Sequence, residues 1–124
     1  MQKLSLILGA ISSGLAVAIG AFGAHALKAT LELSQRTETF ETAVKYHFFH
    51  SLALLIIGIL MFRLSHNLFH YAVWSHLIGI ILFSGSLYVL CLTNSTLWAR
   101  ITPFGGLAFI LGWVFLTIAL YKTL

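Results

Sequence analysis

Four long apolar runs, each about twenty residues, decide what this chain can become. They extend from about Leu4 to Leu27, Tyr46 to Leu64, Tyr71 to Leu92 and Pro103 to Tyr121, and use up most of the sequence. A membrane-crossing helix needs about 20 mainly apolar residues. A transmembrane β-barrel would instead show segments of about ten residues with alternating polarity. Here the runs are unbroken. The links between them, about 18, 6 and 10 residues long, are short enough for sequential neighbours to pack antiparallel. The predicted fold is all-α, a single integral membrane domain over residues 1–124. It is a four-helix transmembrane bundle with antiparallel neighbours and an amphipathic extension before the second span.

Composition closes the other routes. The chain is 60% apolar and 8% charged, with a mean hydropathy of +0.99. An ordinary soluble domain is about 45–50% apolar and about 25% charged. So few charges cannot cover a water-facing surface, and disorder demands the opposite balance. The net charge of +4 comes from scattered bases with no basic stripe. That excludes a nucleic-acid partner and suits anchoring against anionic headgroups. The single cysteine, Cys91, permits no internal disulfide; with no base beside it, it reads as a small buried residue. Four spans place Lys3, Arg63 and Lys122 on one side and Lys28, Arg36, Lys45 and Arg100 on the other. That near-balance leaves the orientation open under the positive-inside rule.

Local signals refine the picture. Met1-Gln2-Lys3, an apolar run and Ala24-His25-Ala26 resemble a signal peptide, but the run exceeds the usual ~7–15-residue core. The expectation is a retained span. Between the first two spans, Phe40 and Val44 share a face with His47 or Phe48, and Glu41 precedes Lys45 at i, i+4. One long helix, capped by Ser34 or Thr37, is expected to start in the interface and run into the second span. Thr102 as N-cap with Pro103 at the first helical position starts the fourth.

Helices in lipid associate through close contact that small residues permit. Two small-residue ridges mark the first span, one of Ala10, Gly14 and Ala18, the other of Ser12, Ala16, Gly20 and Ala24. Gly79 and Gly112 supply partners on the third and fourth spans. Antiparallel threading then gathers polar residues on one membrane face: His25, Lys28, Glu41, Lys45, Tyr46, His47, His50, Ser84, Ser86, Tyr88 and Thr102. At 1.5 Å per residue, His50 would sit roughly 6 Å and Ser84 roughly 12 Å below the boundary. His66 and His70 read as solvated loop residues on the opposite side, and His76, one turn into the third span, as a packing residue.

His25, His47 and His50 form a candidate three-imidazole set of the kind that binds Zn, Cu, Fe or Ni, or haem. The alternative is interfacial histidines bonded to carbonyls and hydroxyls. No cofactor is required by the sequence. There is no Gly-rich phosphate loop, no carboxylate pair for hydrolysis and no identifiable catalytic residue.

Several motifs resemble one family. They are Gly20-Ala21-Phe22-Gly23-Ala24-His25-Ala26-Leu27-Lys28 and the run from Phe40 through Glu41, Lys45-Tyr46-His47 and His50-Ser51 to Leu54. Leu82-Phe83-Ser84-Gly85-Ser86-Leu87-Tyr88, Thr102-Pro103-Phe104-Gly105-Gly106 and Gly112-Trp113 follow in order. Together they are similar to the small bacterial membrane proteins of domain-of-unknown-function family 423, whose eukaryotic relatives are called transmembrane protein 256. The resemblance covers nearly the whole chain. It implies a four-span inner-membrane protein and supplies no reaction; its motif residues coincide with those placed on one face.

Three functions compete. The first is a non-enzymatic accessory or assembly module, partnered by lipid and by another membrane protein or a second copy. The second is a metal- or haem-binding protein. The third is a small proton-coupled transporter, which would lack the usual membrane-embedded carboxylate.

Overall fold

A computed structural model describes every residue from Met1 to Leu124. The chain is 86% helical and has no strands. Helix α1 runs Gln2–Ala24, α2 Lys28–Leu33, α3 Thr37–Leu60, α4 Asn67–Gly79, α5 Ser86–Thr93 and α6 Thr102–Thr123. A π-helical turn, Ile80–Gly85, fuses α4 to α5, and a 3₁₀ turn, Thr96–Arg100, leads into α6. Four helical segments are therefore long and apolar enough to cross a membrane.

The boundaries move for local reasons. The first span ends at Ala24 rather than Leu27, because His25 leaves helical geometry and the chain turns into α2. The second begins at Thr37 and is unbroken to Leu60, so the amphipathic stretch and the span are one helix. Its cap is Arg36, and neither Ser34 nor Thr37 bonds its first turn. The Ser34 hydroxyl instead donates back to the Thr30 carbonyl at 3.0 Å, closing α2. Gln35 takes a left-handed conformation at the reversal between α2 and α3, as Asn94 does after α5; the latter is a common helix stop. Thr102 is the first residue of α6, not its cap, with Pro103 in the first turn. His66 is no free loop residue, since its Nδ1 accepts from the Leu68 N–H at 3.1 Å and caps α4.

Helix α3 is central, with α1 on one side and α4, the π turn and α5 on the other; α6 packs on α4 and the π turn. Neighbours are antiparallel. Along α1 and α3 the facing pairs are Leu6 with Gly58, Gly9 with Leu55, Gly20 with Val44, and Gly23 with Phe40. The buried or half-buried stripe of α1 facing α3 runs through Ser5, Gly9, Ser12, Ala16, Gly20 and Gly23, in steps of three or four as a helix seam requires. A side chain on Gly9 would meet the Ser51 carbonyl and the Leu55 nitrogen at 3.0 Å, so backbone packs on backbone there. Ala24 is exposed, and so is the whole ridge of Ala10, Gly14 and Ala18, which faces away from α3.

Between α4 and α6 the fit is of rings against glycines. Phe109 lies on Gly79 and the His76 ring on Gly112. Leu54, Ile57, Phe69, Ala72, Val73, Leu116 and Ala119 form the main apolar core at the α3–α4–α6 junction. Where the π turn bulges, α6 approaches closest: a Cβ on Gly105 would overlap the backbone of Phe83. Gly105→Ala is therefore expected to cost about 1–3 kcal/mol, the usual range for overpacking. Nothing lies within 4 Å of a Cβ on Gly14, so Gly14→Ala should change stability by no more than about 1 kcal/mol, the scale of helix propensity. Reversible unfolding in mixed micelles, followed by circular dichroism, measures both; equal losses would contradict this packing.

Candidate functional site

His50 lies about 20 Å along the continuous α3 from Thr37, and about 7 Å beyond the charged Lys45. It meets His76, which sequence threading put toward the opposite face, at a ring-centroid distance of 5.3 Å. The polar residues accordingly divide into separate groups rather than one face.

The first group is a chain of hydrogen bonds at mid-bundle. His47, buried on α3, has Nδ1 3.0 Å from the Tyr88 hydroxyl and Nε2 3.0 Å from the Ser12 hydroxyl. Ser12 is 2.6 Å from the Ser51 hydroxyl, which donates to the His47 carbonyl at 2.7 Å. Donor counting fixes the direction. The Ser51 proton is spent on the carbonyl, so Ser12 donates to Ser51. Ser12 must then accept from His47 Nε2–H, which leaves Nδ1 to accept from Tyr88. The chain joins α5, α3 and α1, and it ends on α3 itself. It ties helices together and does not lead across the membrane.

The second group surrounds His50. Its Nδ1–H donates to the Tyr46 carbonyl at 2.7 Å, and its Nε2 accepts from the Trp113 indole N–H at 3.1 Å. The imidazole stacks on Phe109 with centroids 3.5 Å apart and planes within 12°. His76 is fully buried, edge-on to Trp113 at 5.0 Å, and neither of its ring nitrogens meets a hydrogen-bond partner. Tyr46 itself is exposed and stands over Phe83 at 4.7 Å.

The serines of the π region form a third set. Buried Ser84 donates to the Ala43 carbonyl at 2.8 Å. Ser86 donates to the Phe83 carbonyl at 3.0 Å and receives the Thr102 hydroxyl at 2.7 Å, which ties the start of α6 to α5. Lys28, Glu41 and Lys45 belong to a fourth place, the rim of a cavity where α1, α2 and α3 meet.

The three-imidazole set does not form. His25 is exposed at the end of α1, while both nitrogens of His47 and of His50 are occupied by different partners. No three His, Cys, Asp or Glu side chains are arranged to hold a metal ion. The physical reason is that residues three apart on a helix diverge by about 60°, enough to send His47 toward α1 and α5 and His50 toward α6. Sequence reasoning missed the partners that close the network. Ser12 was visible only as a small residue, Trp113 only in a family motif, and Glu32, at the cavity rim, not at all.

The family described as "Protein of unknown function (DUF423)" matches residues 19–106, which include every one of these groups in part or whole. The chain belongs to this family. It is 46% identical over 121 residues to a UPF0382 membrane protein of Staphylococcus aureus, covering 98% of each chain. It is 42% identical over 124 residues to the UPF0382 membrane protein YwdK of Bacillus subtilis, covering 99% of this chain and all of that one. Over 117 residues it is 39% identical to the UPF0382 inner membrane protein YgdD of Escherichia coli K12, covering 94% and 88%. No solved structure matches it. This DUF423 member is an integral membrane protein of the inner, plasma membrane, in contact with the lipid bilayer and with no assigned biochemical role.

The hydrogen-bond chain makes a quantitative expectation. In a double-mutant cycle of Tyr88→Phe with His47→Phe, the coupling should be about 0.6 kcal/mol, the mean for interhelical bonds in membranes, and no more than about 1.7 kcal/mol. Unfolding in mixed micelles reads it, and additive losses would mean the Tyr88–His47 bond contributes nothing.

Proposed function

We propose that the protein is a non-enzymatic accessory or assembly module of the membrane, and that α1 is the helix it offers to a membrane-embedded protein partner. One observation carries this reading: α1 is bound on one side only. Among the spanning helices it packs chiefly on α3, with 17% of its most apolar stretch buried against 44% for α3. The uncovered side presents Ala10, Gly14 and Ala18 at four-residue spacing. Small residues let another backbone approach, where dispersion and lipid release stabilise helix pairs.

The polar groups support the same reading. A catalytic imidazole needs a nitrogen open to substrate, whereas His47 and His50 spend theirs on bonds between helices. Those bonds hold α1, α5 and α6 onto α3, giving a rigid scaffold instead of a reactive centre.

Purification in several mild detergents tests the proposal, with mass measured by light scattering. The expected result is an assembly larger than one chain that Gly14→Leu reduces to the monomer. Circular dichroism and unfolding of the variant should remain as in the wild type, because no atom of this chain faces that position. A lone monomer in every detergent, or an assembly indifferent to Gly14→Leu, would overturn it.

A further inference from the structure

Where α1 ends, α2 crosses and α3 begins, a half-open cavity of about 440 Å³ lies among the charged residues that flank the apolar spans. Two glycines of α1 let α3 side chains close its wall. A Cβ on Gly20 would come within 3.1 Å of Val44, and one on Gly23 would overlap the Phe40 ring. Its rim carries four charges on two helices: Lys28 and Glu32 from α2, and Glu41 and Lys45 from α3. Two cations and two carboxylates sum to zero at neutral pH. This is a mixed-charge opening, not a basic patch.

The cavity does not stop at these charges. A second hollow of about 300 Å³ shares Gly20, Val44 and Lys45 with it and continues between α1 and α3 toward the bundle centre. There the walls are Ala16, Val17, Phe48 and Phe49, and the lining is apolar. A chamber rimmed by charges thus opens into an apolar groove running into the hydrocarbon. That sequence of environments is the shape of one amphiphile.

We propose that this composite pocket binds a single zwitterionic phospholipid bearing a primary ammonium headgroup. The phosphodiester lies against the Lys28 and Lys45 ammonium groups, and the headgroup ammonium donates to the Glu32 and Glu41 carboxylates. One acyl chain follows the groove beside Phe48 and Phe49. Charge balance selects the class. A net-anionic glycerol headgroup satisfies the lysines but brings no cation to the two carboxylates. A choline headgroup brings the charge without any N–H to donate.

The test uses the full chain, delipidated in mild detergent and then given phosphatidylethanolamine, phosphatidylglycerol or phosphatidylcholine. Native mass spectrometry reads the one-lipid adduct. Phosphatidylethanolamine should be retained best. Lys28→Gln with Lys45→Gln should weaken retention of both ethanolamine and glycerol lipids about fivefold, the scale of two exposed ion pairs. Glu32→Gln with Glu41→Gln should remove only the preference between them. All four positions are exposed, so circular dichroism should show both variants folded. Equal retention of the three lipids, a preference for phosphatidylglycerol, or a preference that survives the glutamate substitutions would each overturn the assignment.

Discussion

Hydrocarbon offers a polar side chain no water to fall back on, so a polar group inside the bilayer is stabilised by closing on another part of the protein. Helix α3 carries three such groups along its buried length, His47, His50 and Ser51, and their closures draw in three neighbouring helices. His47 reaches α5 through Tyr88 and α1 through Ser12, and His50 reaches α6 through Trp113. The central place of α3 follows from this. Apolar packing alone would be tolerant of sliding, since lipid tails are as apolar as leucine and any smooth face meets another. The directional bonds set register, because a one-turn slip of α1 would break both bonds of the Ser12 hydroxyl and leave His47 Nε2 without a partner.

Close approach supplies the rest of the affinity, and it is achieved differently in the two halves. Between α1 and α3, the absence of a side chain lets backbones meet at Gly9. Between α4 and α6, rings fill the space that Gly79 and Gly112 leave. The π turn belongs to this second half. It inserts extra width into the third span where Gly105 brings α6 onto Phe83, and it turns Ser84 to the Ala43 carbonyl of α3. Such single-turn widenings cost hydrogen-bond quality and persist where neighbours compensate.

The spans, their antiparallel order, the continuity of Thr37–Leu60 and the start near Pro103 were legible, because length and hydropathy depend on the chain alone. Which groups meet inside the bundle was not: threading put His76 toward the face opposite His50, yet their ring centroids lie 5.3 Å apart. Small size identified α1 as a packing helix but not its packing side. Ala10, Gly14 and Ala18 are as small as Ser12, Ala16 and Gly20, and only the hydroxyl of Ser12 has a partner on α3. The π turn left no local trace, since it answers to the approach of a distant glycine. His76 was rightly read as packing, yet its two unpartnered nitrogens arise from a tertiary environment of Gly112, Trp113 and His50 that no spacing rule encodes.

These features make α1 the separable part of the molecule. Helices α3, α4 and α6 share an apolar core, whereas α1 is held by one seam with the hydroxyls of Ser5, which donates to the Leu54 carbonyl at 2.6 Å, and of Ser12. Both walls of the lipid pocket are the two sides of that seam. A ligand that binds only when α1 is docked stabilises the docked state by mass action, in proportion to the logarithm of its occupancy ratio. A bilayer supplies phospholipid at far above any modest dissociation constant, so the lipid would act as a standing third component of the α1–α3 interface. The outward ridge of Ala10, Gly14 and Ala18 is presented in a fixed place only while that interface is closed. Headgroup composition and protein assembly are then linked through one helix: what fills the seam on its inner side governs how firmly its outer side can be offered to a partner.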